Sequence, residues 1–106
     1  MRKAKRPRGG ENMKYEIMFI VRPDMEEANL KEVVTSFENI LINNEAKIIN
    51  SKNMGQRELA YEIKKYKRGF YYVYQIEAPV KAINEFDRLA LLSEDMIRHM
   101  IIRLED

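Results

Sequence analysis

The chain contains no cysteine, which removes disulfides, thiolate zinc sites and cysteine nucleophiles. Histidine is almost missing too: His99 is the only one. The usual proton shuttle and metal ligand of neutral pH therefore occurs once, without a cysteine partner or acidic residues at metal-ligand spacing. No apolar run approaches the length of a membrane span, and no secretory apolar segment stands near the start. A soluble cytoplasmic protein without metal, cofactor or membrane contact is expected. Glycine and proline are sparse, four and three in 106 residues, so each of them marks a place in the chain.

What is present is charge, unevenly placed. The formal net charge is +2, yet Arg2, Lys3, Lys5, Arg6 and Arg8 stand against Glu11 alone in the first twelve residues. The remaining 14 Lys and Arg face 16 Asp and Glu, so residues 13–106 sum to −2. Any contact with nucleic acid must come from local segregation of charge rather than from the overall field.

Residues 1–12 have no apolar periodicity and contain Pro7, Gly9 and Gly10, which predicts a disordered basic extension. Residues 13–106 are long enough for one domain with its own core. From Lys14, Tyr15, Ile17, Phe19 and Val21 alternate with Glu16, Met18, Ile20 and Arg22, a strand pattern ended by Pro23. Asp24 with Glu27 resembles a capping box, and Leu30, Val33, Val34, Phe37, Ile40 and Leu41 form the apolar stripe of a helix ending near Asn43-Asn44. A long strand over 46–63 is interrupted near Gly55, and a third runs over 70–77 after a turn set by Gly69. Pro79 suits a helix start, with Val80, Ile83, Phe86, Leu89 and Ala90 as its stripe. A fourth strand spans 96–104. The order strand–helix–strand–strand–helix–strand predicts a four-stranded antiparallel sheet with both helices on one face and the other face open.

Little points to catalysis. His99 reads as a packed or edge histidine, and Glu26, Glu27, Glu94 and Asp95 as helix-start and turn acids. Acylphosphatase-like enzymes share this strand order but need a phosphate-cradling loop after the first strand. Val21-Arg22-Pro23-Asp24 lacks glycine and offers an acid instead. The notable chemistry is a basic turn: Lys64, Lys65, Lys67 and Arg68 within five positions, between two hydrophobic runs. An ordered hairpin carrying such a cluster can hold phosphates in register. One form of RNA binding has a partial motif. Arg68-Gly69-Phe70-Tyr71-Tyr72-Val73-Tyr74-Gln75 approaches the third-strand signature of RNA-recognition motifs, with Met18-Phe19-Ile20 as first-strand counterpart. Tyr71 and Gln75 depart from it, and the reading requires aromatics on the open face. Their alternative is core packing. A metabolite-sensing domain of the same topology is a further alternative, but no pocket is specified.

Five ordered blocks stand across residues 13–106. They are the opening Lys14-Tyr15-Glu16-Ile17-Met18-Phe19-Ile20-Val21-Arg22-Pro23-Asp24, the run Gly55-Gln56-Arg57-Glu58-Leu59-Ala60-Tyr61-Glu62-Ile63, and Gly69-Phe70-Tyr71. Ile83-Asn84-Glu85-Phe86-Asp87-Arg88 and Met96-Ile97-Arg98-His99-Met100 complete them. Together they resemble the bacterial small-subunit ribosomal protein S-six family. The resemblance implies a ferredoxin-like α+β fold. It implies an architectural role, without chemistry or small-molecule substrate, on the central-domain platform of small-subunit ribosomal RNA, together with ribosomal protein S-eighteen. By family analogy and charge, RNA contacts are expected at Lys14, Arg57, Arg88 and Arg98, supported by Lys52, Lys64, Lys65, Lys67 and Arg68. Arg88 and Arg98 have a competing reading as partners of acids such as Asp87 or Glu94.

Three departures from the family pattern stand out. Glu45 occupies a position that is usually glycine, with Asn44 expected to take the left-handed conformation. Met54 replaces a frequent tryptophan, and the sequence stops at Leu104-Glu105-Asp106, so functions of the acidic C-terminal tail of some members are not expected to carry over. Met13 falls where family members begin. Codons for Arg8-Gly9-Gly10-Glu11-Asn12 can also spell a purine-rich ribosome-binding site before an ATG, so residues 1–12 are expected to be translated leader. A basic RNA-binding arm is the competing reading.

Overall fold

The structure, a computed structural model, describes residues 12–104; the expectations for the first eleven residues fall outside them. Six elements follow one another: β1 (Met13–Val21), α1 (Glu27–Asn43), β2 (Lys47–Ile63), β3 (Tyr66–Ala78), α2 (Val80–Leu92) and β4 (Met96–Leu104). Alternation in β1 buries Tyr15, Ile17, Phe19 and Val21, so that strand belongs in the middle of the sheet. It pairs antiparallel with β3 on one side and β4 on the other, and β2 extends the order to β2-β3-β1-β4. Both helices lie on one face. Among the described residues no helix is long and apolar enough to cross a membrane.

Between sheet and helices lies an aromatic core. The Phe86 ring, fully buried on α2, stands 5.4 Å from Phe37 of α1 and 6.1 Å from Phe19 of β1. Phe19 also stacks on Tyr72 and Tyr74 of β3, at 5.3 and 5.6 Å. Burial pushes the Tyr74 hydroxyl far above the ordinary tyrosine range, and the hydrogen bond it donates to Glu38 of α1 adds to the shift. The α1 stripe packs as expected. In α2 the buried set is Ala82, Phe86 and Ala90, while Val80 is exposed.

Four local expectations are corrected. Asp24 does not cap α1: Glu26 is the N-cap, without a side-chain bond, and Asp24 accepts a 3.0 Å hydrogen bond from Arg22. The β2–β3 hairpin turns at Lys64-Lys65, both in the left-handed region (φ 52° and 72°), so β3 begins at Tyr66. Gly69 lies within β3 and answers a different need, described below. After α1, Glu45 takes the left-handed conformation (φ 74°), while Asn44 stays at φ −103° and donates to the Ile40 carbonyl at 2.8 Å.

Glu45 sits strained in a conformation that favours glycine. A left-handed L-residue costs about 1–2 kcal/mol, whereas glycine adopts the conformation freely at some cost in unfolded-state entropy. The exposed Glu45–Lys81 pair, at 3.1 Å, offsets little. Glu45→Gly is expected to raise the unfolding free energy by about 0.5–1 kcal/mol, read as a higher urea midpoint at unchanged m-value.

Candidate nucleic-acid interface

Register decides which side chains the uncovered face receives. Partners across strands share a face, and alternate residues change face. Since Ile17, Phe19 and Val21 point at the helices, Lys14, Glu16, Met18 and Ile20 point away. They are joined by Tyr71, Val73, Gln75 and Glu77 of β3 and by Arg98, Met100 and Ile102 of β4. Across β1 and β4 this face carries an apolar strip of Met18, Ile20, Met100 and Ile102 between charged residues, with Met100 and Ile102 38% and 46% exposed.

One end of this face is partly roofed. Leu59, Ala60, Tyr61 and Ile63 of β2 line a cavity of about 200 Å³ with Met18, Ile20, Tyr71 and Arg98. Ile20 is buried there, outside the main core. Gly69 lies directly beneath: a Cβ at that position would stand 2.3 Å from Ile20 Cγ2 and 3.2 Å from the Val21 carbonyl. The glycine is required by close approach, not by a turn.

All nine sequence-predicted contact residues are exposed, but they do not form one patch. Lys14, Lys52, Arg57 and Arg98 share the uncovered face. Lys64, Lys65, Lys67 and Arg68 occupy the hairpin tip and the start of β3. Arg88 stands apart, on α2 in the other layer. Its guanidinium holds Glu85 at 2.7 and 3.0 Å, and this pairing keeps the Glu85 carboxyl below its ordinary range. Arg98 hydrogen-bonds the Tyr61 hydroxyl and lies 5.8 Å from that ring's centroid. Neither arginine takes Asp87 or Glu94; Asp87 instead meets His99 Nε2 at 2.7 Å, and the His99 ring packs edge-on against Phe86. His99 is the packed histidine expected of it. Arg22 bridges Asp95 at 2.8 Å and Asp24, interactions that hold its guanidinium well above the ordinary arginine range and tie the end of β1 to the loop before β4.

β2 is not a regular strand. Its pairing with β3 shifts at bulges between Ile48 and Asn50 and between Asn53 and Gly55, and slips once more between Glu58 and Ile63, short of the hairpin turn. Gly55, at φ 78°, has the freedom that the second bulge needs, and its N–H donates to Asn53 Oδ1 at 2.9 Å. Each bulge reverses the facing of everything beyond it. Lys47 opposes Glu77, Lys52 opposes Val73 and Arg57 opposes Gly69, so all three reach the uncovered face. Five-residue spacings would have alternated in an unbroken strand. Lys47 was not among the expected contacts. The Gly55 interruption was legible; the first bulge, with no glycine or proline to mark it, had no signal.

The RNA-recognition-motif alternative fails on the same register. Phe70, Tyr72 and Tyr74 face the helices with Phe19, and after Gly69 the residues of that run that face away are Tyr71, Val73 and Gln75. The aromatic strand is core, so no stacking platform exists on β1 and β3. Among the described residues no group of three or more His, Asp or Glu could hold a metal ion.

Two comparisons bear on this arrangement. The family described as "Ribosomal protein S6" matches residues 14–103. Among solved structures, the chain is similar to 30S ribosomal protein S6 from Thermotoga maritima. The TM-score is 0.83 at 28% identity, over 89% of each chain.

Proposed function

The chain belongs to the ribosomal protein S6 family, and so to the small-subunit ribosomal proteins; from that premise we propose that it binds the central domain of the small-subunit ribosomal RNA together with ribosomal protein S-eighteen. The role is architectural: it supports assembly and translation by holding an RNA junction in shape on the cytoplasmic ribosome, without catalysing a reaction. The observation that carries this reading is the uncovered sheet face, where exposed Met100 and Ile102 on β4 lie beside Arg98 and share the face with Lys52 and Arg57 on the opposite edge strand. The apolar strip is the seat for the protein partner, because water contact with it is unfavourable. The cations, with those of the hairpin tip, meet phosphates.

Residues 13–106 sum to −2, so this part of the chain attracts RNA weakly and a basic partner supplies the missing positive surface. Binding of residues 13–106 to a central-domain RNA fragment, with and without the partner and at two salt concentrations, tests this. Tight, salt-sensitive binding is expected only with the partner. Equally tight binding without it at physiological salt would overturn the reading.

A further inference from the structure

We propose that Lys47, Lys52 and Arg57 form an RNA-backbone track along the edge of the sheet, built by the two bulges of β2; this rests on the RNA-binding reading above. The three cations are exposed on the edge strand and share one face. Their β3 partners, Glu77, Val73 and Gly69, are evenly spaced four positions apart, so successive cations are separated by about 13 Å along the strand. Without the first bulge Lys47 would face the helix side relative to Lys52. Without the second, Lys52 and Arg57 would face apart. Two independent irregularities thus act in the same sense. Bulges commonly serve to re-aim side chains.

The second bulge also aims one of the cations. The Met54 carbonyl accepts a 3.2 Å hydrogen bond from Arg57 Nε, and the terminal nitrogens of the guanidinium fork suit bidentate phosphate contact. Opposite Lys52 and Arg57 stand an apolar residue and a glycine, so no acid faces them directly across β3. Lys47 differs: Glu77 lies opposite it, and Glu77 also opposes Lys14 on β1. That carboxylate tempers the field at this end of the track, making Lys47 the weaker contact. Evenly spaced cations on an ordered strand match a ligand carrying regularly repeated negative charge, the chemistry of a nucleic-acid backbone.

The decisive variant keeps the composition and moves one charge across the strand. The exchange Ser51→Lys with Lys52→Ser leaves net charge unchanged but places the cation on the helix side, since Ser51 opposes Tyr74, and it keeps the Asn53 oxygen that the second bulge uses. Binding of the partnered full-length protein to the central-domain RNA is measured against salt. The logarithmic slope is expected to become shallower by about one, as it should for Lys52→Gln and for Arg57→Gln. Affinity at physiological salt falls severalfold, and thermal unfolding confirms that each variant folds. Lys31→Gln, on exposed α1, leaves the slope unchanged. If the exchange variant retains the wild-type slope, the track is overturned while the platform reading survives. A weakening of partner association with RNA binding through the partner unaltered overturns it as well, assigning the row to a protein contact. Failure of the wild-type complex to bind RNA would instead overturn the platform reading on which the track rests.

Discussion

Phe86→Ala is expected to lower the unfolding free energy by about 4 kcal/mol, within the range for buried phenylalanine truncations. A domain of this size has about 5–15 kcal/mol in total, so this single change consumes a large share of it. The size of the effect follows from position. Phe86 is fully buried and stands between Phe19 of the central strand, Phe37 of α1 and the His99 ring of β4. Removing the ring leaves a cavity that these neighbours, fixed on three different elements, cannot jointly fill. It also removes ring-edge contacts worth more than their buried area. Urea unfolding measures the loss directly. A loss below about 2 kcal/mol, less than typical of such truncations, would mean that the two helices close over the gap.

Gly69→Ala is the second large effect, expected to cost about 2–3 kcal/mol through overpacking. The added methyl meets Ile20 Cγ2 at 2.3 Å. The Ile20 χ1 is stiff because Cβ is branched, so relief requires the whole side chain to shift toward the cavity it lines with Leu59, Tyr61 and Tyr71. The backbone carbonyl of Val21, at 3.2 Å, limits movement of β3 in the other direction. The double variant Gly69→Ala, Ile20→Ala removes the obstructing methyl. Its loss is expected to fall short of the sum of the two single losses by about 1–2 kcal/mol, a coupling typical of residues in contact. Additive losses would place the strain elsewhere.

The fold was legible because its periodicities are clean. Tyr15, Ile17, Phe19 and Val21 alternate without interruption, and the α1 stripe from Leu30 to Leu41 keeps helical spacing, so element order and sheet topology follow from burial alone. The errors lie where local chemistry had more than one solution. Asp24 offers a capping oxygen, but Arg22 two residues earlier takes it. Lys64 and Lys65 make a turn without the glycine or asparagine that normally marks one, so the nearest glycine drew the turn to the wrong place. The real reason for Gly69 is a neighbour 49 positions earlier, and no local pattern in one sequence can reveal such a contact. The expected contact residues were recognisable as cations and are exposed. Their division among the sheet face, hairpin tip and helix layer depends on register, which the bulges alter without any compositional trace at Ile48–Asn50.

Those bulges give β2 a property that a regular strand lacks. Between Lys47 and Glu58 facing is reset twice, so this stretch behaves as three short reading frames rather than one. Within each frame, substitutions obey ordinary alternation; across a boundary, odd and even positions exchange meaning. Loss of a single residue at either boundary would act on the sheet surface as a frameshift acts on a message. Every side chain in the segment beyond it would be transferred to the opposite face while the composition hardly changed. Length is therefore constrained more tightly than residue identity along this exposed edge, the reverse of what surface segments usually tolerate.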